Sequence, residues 1–228
     1  MRIVIKVGGS LIQDTNGEIR INYLKELVNI LRKIKENNEI ALIVGGGKSA
    51  HSYIRTAREL GAPEALSDEI GIEIAKIHAR LLITALDELA YPKTFDSLSD
   101  AVSAFESGKI IVLGGLQPGQ STNAVASLLA ERLKANLLIN ATDVSGVYTA
   151  DPKQDPSAKK LDVLNISDFG KYINFEKSKA GEYSLFDYVA YLIIKRSKIP
   201  FFFISGEDPK NIIKIINGEK IGTKIVYD

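Results

Sequence analysis

An α/β fold with a mainly parallel sheet, covered on both faces, follows from three observations on this 228-residue chain. Short apolar runs rich in β-branched residues recur along it, and stretches with helical spacing lie between them. Four of those runs end in glycine-bearing loops. In open parallel sheets, ligands sit outside the carboxyl ends of the strands, so four such loops on one edge suggest a shared anionic ligand.

The first apolar run is Ile3–Val7, too short for a signal peptide or a membrane span. Tyr23, Leu24, Leu27, Ile30, Leu31 and Ile34 then fall on one helical stripe. A second strand is expected over Ile40–Val44. It leads through Gly45-Gly46-Gly47 into a stretch spaced like a helix. Ser67-Asp68 reads as the N-cap of the next helix, whose stripe is Ile70, Ile74, Ile77, Leu81 and Leu82. Ile110–Leu113 is the third strand. Ser121-Thr122 caps a helix running through Ala126 to Leu133, and Leu137–Asn140 follows as a strand. Residues 142–157 are the least regular, and with the charged, aromatic stretch to Ser184 they mark a soft boundary between two lobes. Phe201–Ile204, a helix marked by Ile212, Ile213, Ile215 and Ile216, and Lys224–Tyr227 complete the chain. Most leucines and isoleucines on these stripes are expected to be core.

Composition narrows the classes. There are 29 basic and 28 acidic side chains, which gives no reason to expect a nucleic-acid or membrane-surface partner. Absence of cysteine removes disulfides, thiolate catalysis and zinc ribbons together. A cytoplasmic, soluble protein is the expectation, as one large domain or two intimate lobes.

Two familiar loops compete for the glycine triplet. Gly47-Lys48-Ser49 resembles the end of a Walker A loop, but the glycine required five positions before Gly47 is Leu42, inside the strand. Gly45-Gly46-Gly47-Lys48-Ser49-Ala50 does satisfy a dinucleotide-binding pattern, with Asp68 placed for a ribose, so that rival stays open. A third reading needs geometry alone. The N–H groups opening the helix after Gly47 point at an anion, and glycine lets a phosphate lie on the backbone itself.

Lys6 is a lone cation at the carboxyl end of an apolar strand, followed by Gly8, Gly9 and the hydroxyl of Ser10. It reads as a point charge aimed at the ligand edge, or else as a lysine on an exposed edge strand. Gly114–Thr122 offers glycines, amides and hydroxyls that suit a polar ligand, although a plain surface loop would read alike.

The stretch Thr142–Pro152, TDVSGVYTADP, resembles the nucleotide loop of the amino-acid kinase family. Lys6–Ser10 and Gly45–Gly47 are similar to that family's other phosphate loops, in the same order. Within the family, Asp68, Gly114–Thr122 and the spacing resemble the uridylate kinase branch, above all its short archaeal form.

That resemblance implies a three-layer α/β/α sandwich, one domain over residues 1–228 with an acceptor-side lobe over about 1–135 and an ATP-side lobe over about 136–228. It implies phosphoryl transfer from ATP to UMP in pyrimidine nucleotide synthesis. Lys6 and Asp143 would be catalytic. Lys6, Gly9, Ser10, Gly47, His51, Thr142, Tyr148 and Asp151 would serve ATP. Gly46, Asp68, Leu116, Gln117, Pro118, Gly119, Gln120, Ser121 and Thr122 would hold UMP, with Asp68 on the ribose hydroxyls. Mg²⁺ would be held mainly by the ATP phosphates, without a dedicated protein site. A homohexamer and inhibition by UTP are also implied.

Three positions depart from the branch pattern. His51 stands where an arginine usually contacts phosphate, Leu192 where several relatives carry lysine, and Ser145 where aspartate is frequent. They leave room for another phosphorylated acceptor, such as isopentenyl phosphate, and a non-catalytic nucleotide-binding protein is the reading from a different class. The second histidine, His78, lies mid-helix and reads as structural or exposed.

Overall fold

The computed structural model describes residues 1–150, 152, 155–172 and 186–228. The chain opens with β1 (Arg2–Val7), α1 (Gly9–Ile12), α2 (Ile21–Lys35), β2 (Glu39–Val44), α3 (Gly47–Glu59) and α4 (Glu64–Leu86). Next come α5 (Leu98–Phe105), β3 (Ile111–Leu113), α6 (Thr122–Arg132), β4 (Leu137–Thr142) and the short pair β5 (Val147–Tyr148) and β6 (Lys160–Leu161). The last elements are β7 (Val163–Asn165), α7 (Ile166–Phe169), α8 (Tyr188–Ser197), β8 (Phe201–Ser205), α9 (Lys210–Ile216) and β9 (Thr223–Val226).

A seven-stranded sheet runs β3-β2-β1-β4-β8-β9-β7. Its first five strands are parallel, whereas β9 pairs antiparallel with β8 and parallel with β7. Because strand side chains alternate, each central strand feeds two cores. Ile3, Ile5, Val7, Ile40, Leu42, Val44, Leu137 and Ile139 pack with residues of α2, α4 and α9. Val4, Ala41, Ile43, Leu138, Phe201 and Phe203 pack with residues of α5, α6 and α8. The result is three layers, helices over both faces of a mainly parallel sheet. Register and parity place Lys6 and its β4 partner Asn140 on the α6–α8 side.

The α4 helix corrects two expectations. It begins at Glu64, directly after Pro63, so Ser67 and Asp68 lie inside the helix and do not cap it. Proline fixes φ and lacks an N–H, which suits a helix entry, and the Ser67 N–H already bonds the Pro63 carbonyl. Ile77 and Leu81 of the expected core stripe are 50% and 39% exposed. The buried face is instead Ser67, Ala75, His78, Ala79, Leu82 and Leu86. Its small residues let α4 approach two loops closely. A Cβ on Gly114 would come within 2.6 Å of the Lys76 nitrogen, and one on Gly46 within 3.2 Å of the Gly71 carbonyl oxygen.

Candidate functional site

The parallel strands β1, β2, β3 and β4 all end on one edge, which brings the four glycine-bearing loops together. They enclose a cavity of about 760 Å³, within the usual range for small-molecule sites of about 300–1,000 Å³.

Lys6, Gly9, Ser10, Gly46, Gly47, His51, Asp68, Gln120, Ser121, Thr122, Thr142 and Asp143 line this cavity. Leu116–Gly119 do not, and Leu116 packs against the core instead. Tyr148 is paired with Lys160 in the β5–β6 ribbon, away from the cavity wall. Asp151 lies outside the described residues, as does much of the stretch ending at Ser184. His51 is exposed on α3, one turn after Gly47. Leu192 is 44% exposed on α8 and does not line the cavity.

The glycines turn out to face one another. A Cβ on Gly9 would sit 2.0 Å from the Gly47 nitrogen, and one on Gly45 would sit 2.8 Å from the Gly9 nitrogen. Gly47 also holds φ +60°, which side-chain-bearing residues rarely adopt. Contact between the two loops therefore suffices to require these glycines, without a phosphate pressed on the backbone. Gln13 fastens the same junction. Its Nε2 donates to Ser49 Oγ at 2.6 Å, and its Oε1 accepts from the Ser49 N–H at 3.0 Å. Gly146, in the fourth loop, is required by β9, since a Cβ there would meet Thr223 Oγ1 at 2.5 Å.

Two helix N-termini converge on the cavity. Gly46 precedes α3, and Ser121 caps α6 by accepting from the Asn123 and Ala124 N–H groups at 3.0 and 3.1 Å. The positive ends of the two helix dipoles favour an anion there. The serine hydroxyl donates in turn to Asp187 Oδ2, and Asp187 Oδ1 caps α8 by accepting from the Ala190 N–H at 3.0 Å.

Lys6 sits in this arrangement half-buried. Burial pushes its ammonium down to about 8, while the charges of Asp143 and Asp187 hold the proton on. Asn140, its register partner, donates to Asn123 Oδ1 at 3.1 Å, and its own buried Oδ1 has no partner among the described residues. Lys48 and Arg20 add positive charge at the wall, Asp14 and Glu207 negative. Asp68, on α4, accepts from the Gly119 N–H at 2.8 Å and so ties the helix to the 114–122 loop.

Sequence reasoning missed Asp187, Gln13 and the Asn123–Asn140 pair. Asp187 had a usable signal, an aspartate immediately before the apolar run YVAYLII, which is an N-cap pattern. The other three carry no local signal, because their role arises only when distant segments meet.

The sequence profile described as amino acid kinase family matches residues 1–205. The uridylate kinase of Methanobrevibacter smithii is 42% identical over 226 residues, covering 99% of both chains. That of Thermococcus kodakarensis is 40% identical over 225 residues, again covering 99% of each. The crystal structure of uridylate kinase from Archaeoglobus fulgidus superposes with a TM-score of 0.86 at 38% identity, covering 99% of this chain and all of that one. The UMP kinase structure from Bacillus anthracis shares the fold, with a TM-score of 0.81 at 23% identity over 99% of this chain and 95% of that one. With a matching profile over most of its length and relatives at this identity from end to end, the chain belongs to the amino acid kinase family.

Proposed function

We propose that this chain is a uridylate kinase, which moves the γ-phosphoryl group of ATP to UMP and yields ADP and UDP. The observation that carries the reading is Lys6, a half-buried cation lining the cavity with the Gly8–Ser10 and Gly45–Gly47 loops, beside two helix N-termini. Full-length relatives carrying the uridylate kinase name support the choice of acceptor.

The chemistry needs no general base. A phosphate monoester is largely dianionic at neutral pH, its second pKa being about 6. One of its oxygens attacks the γ-phosphorus, the new P–O bond forms, and the bond to the bridging oxygen of the departing ADP breaks. Catalysis then lies in aligning two anions and neutralising their repulsion. Lys6 would lie against the transferring group. Gly46 N–H would serve the acceptor's phosphate and Gly47 N–H the donor's. Asp68 would take the UMP ribose hydroxyls, Gln120–Thr122 the pyrimidine and its phosphate, and Thr142 and Asp143 the ATP side.

Magnesium bound to ATP would supply charge neutralisation on its phosphates. Asp143, which lines the cavity with Lys6, would face those magnesium-bound phosphates. Mg²⁺ of this kind keeps waters and substrate phosphates as its main ligands.

Residues 1–135 would form the acceptor side and 136–228 the ATP side. Exposed apolar side chains on α3 and α4, among them Tyr53 (59%), Leu66 (45%) and Ile77 (50%), support self-association, and a homohexamer is the proposed form. UTP would act as an inhibitor and the enzyme would work in the cytoplasm, in pyrimidine nucleotide synthesis. Among the described residues no helix is long and apolar enough to cross a membrane. Phosphorus NMR on UMP, ATP and Mg²⁺ tests the reading. UDP and ADP resonances should grow together, and hydrolysis of ATP without UDP would refute it.

A further inference from the structure

His78 is 3% exposed, lines no part of the cavity, and plays no role in the chemistry described above. Its Nδ1 lies 2.9 Å from the carbonyl oxygen of Gly45. A carbonyl oxygen can only accept, so Nδ1 carries the proton. Burial pushes the imidazole's pKa down, and the bond to Gly45 opposes that shift. The N–H of Gly45 is held separately, by the Val7 carbonyl at 3.1 Å.

A planar trans peptide points its C=O and the next residue's N–H in opposite directions. Fixing the Gly45 carbonyl against α4 therefore fixes the Gly46 N–H on the other side of the plane. Among the described residues that N–H has no acceptor, and Gly46 lines the cavity. The following peptide is held by a different bond: the Gly46 carbonyl accepts from the Ala50 N–H at 3.2 Å, the first turn of α3. Two successive N–H groups thus have independent anchors, His78 for Gly46 and the helix itself for Gly47.

We propose that His78 is a positioning residue for the acceptor's phosphate, acting through the Gly45–Gly46 peptide and leaving the ATP contact at Gly47 unaffected. This rests on the uridylate kinase reading, in which Gly46 faces the acceptor and Gly47 the donor. Without the imidazole donor the Gly45–Gly46 plane can rotate, because glycine resists rotation least of all residues. One charge-assisted hydrogen bond to the acceptor is then lost or misaligned.

The test measures KM for UMP and for ATP separately in the wild type, His78→Leu and His78→Asn. Leucine keeps the bulk and removes the donor, while the asparagine amide nitrogen can take the place of Nδ1. In His78→Leu, KM for UMP should rise about tenfold or more, with KM for ATP within about twofold. His78→Asn should recover most of the loss. A purely structural role would move both constants together or lower only the melting temperature. Unchanged UMP KM in a folded His78→Leu, or equal rises for UMP and ATP, overturns the proposal. If the leucine variant does not fold, amide spectra of the wild type decide: UMP should shift the Gly46 resonance and ATP the Gly47 resonance, and a Gly46 amide indifferent to UMP is the overturning result. A wild type that binds UMP at Gly46 yet transfers no phosphoryl group would refute the kinase reading while leaving the positioning role intact.

Discussion

Gly9 and Gly47 touch backbone to backbone, with room for no side chain between them: a Cβ on Gly9 would lie 2.0 Å from the Gly47 nitrogen. Both partners are main chain, so no rotamer change relieves the overlap. Gly9→Ala should separate the first two phosphate loops. We expect loss of activity by a factor of about 10² or more, the scale seen when catalytic groups are misplaced by about 1 Å. Steady-state kinetics with a melting curve checks it; near-normal kcat would show that the loops tolerate separation.

Lys6→Met should lower kcat by about 10²–10³, the scale for losing one oriented electrostatic group. Stability should move the other way. The folded protein holds the Lys6 proton less tightly than the unfolded chain, about 8 against 10.5. The unfolded state therefore binds more protons between these values, and wild-type stability rises with pH across that window. Below pH 8 the buried charge is fully destabilising, so the methionine variant should melt higher at pH 7. The gap should shrink towards pH 10. A lower melting temperature for Lys6→Met at pH 7 would argue against the burial effect.

Asp187→Asn isolates the charge from the cap. Asparagine caps helices about as well as aspartate, so α8 should survive, but one of the two negative charges holding the Lys6 proton disappears. In the free protein Lys6 deprotonates near pH 8, and binding an anionic nucleotide above that pH must take a proton up. Affinity should fall by up to about tenfold per pH unit there. In Asp187→Asn that fall should begin at lower pH. Calorimetry in buffers of different ionisation enthalpy reads the proton uptake directly, and identical profiles would remove Asp187 from the account.

Asp68→Ala should weaken UMP binding and narrow the preference for UMP over dUMP. Its place inside α4 rules out helix capping as the cause of any effect. The carboxylate does hold the Gly119 N–H, so part of the loss will come from the loop. Only the ribose contact discriminates between the two nucleotides. Equal losses for UMP and dUMP would leave loop anchoring as its entire role.

β1, β2, β3, β4, β8 and β9 were legible as short, mainly apolar runs, and the Ser121 cap because serine precedes the helical spacing; β5, β6 and β7 were not, because two or three residues are too few to show a pattern. The α4 helix was not. Its exposed Ile77 and Leu81 outweigh, in hydrophobicity, the alanines and His78 that face the core, so periodicity chose the wrong face. Lys6 was legible as a lone charge in an apolar strand. Gln13, Asn123, Asn140 and His78 were not, since their meaning lies in partners 36, 17 and 33 residues away. The triplet was legible as special, but its reason is a neighbouring loop, and contacts between distant glycines leave no local trace.

The most direct test of the central claim is ADP release from ATP and Mg²⁺ across a panel of acceptors: UMP, dUMP, CMP, uridine and isopentenyl phosphate. The account predicts that UMP gives the highest kcat/KM, that uridine gives none because it lacks the attacking phosphate, and that Lys6→Met lowers kcat for UMP. Isopentenyl phosphate outperforming UMP, or no acceptor stimulating ADP release, would contradict it.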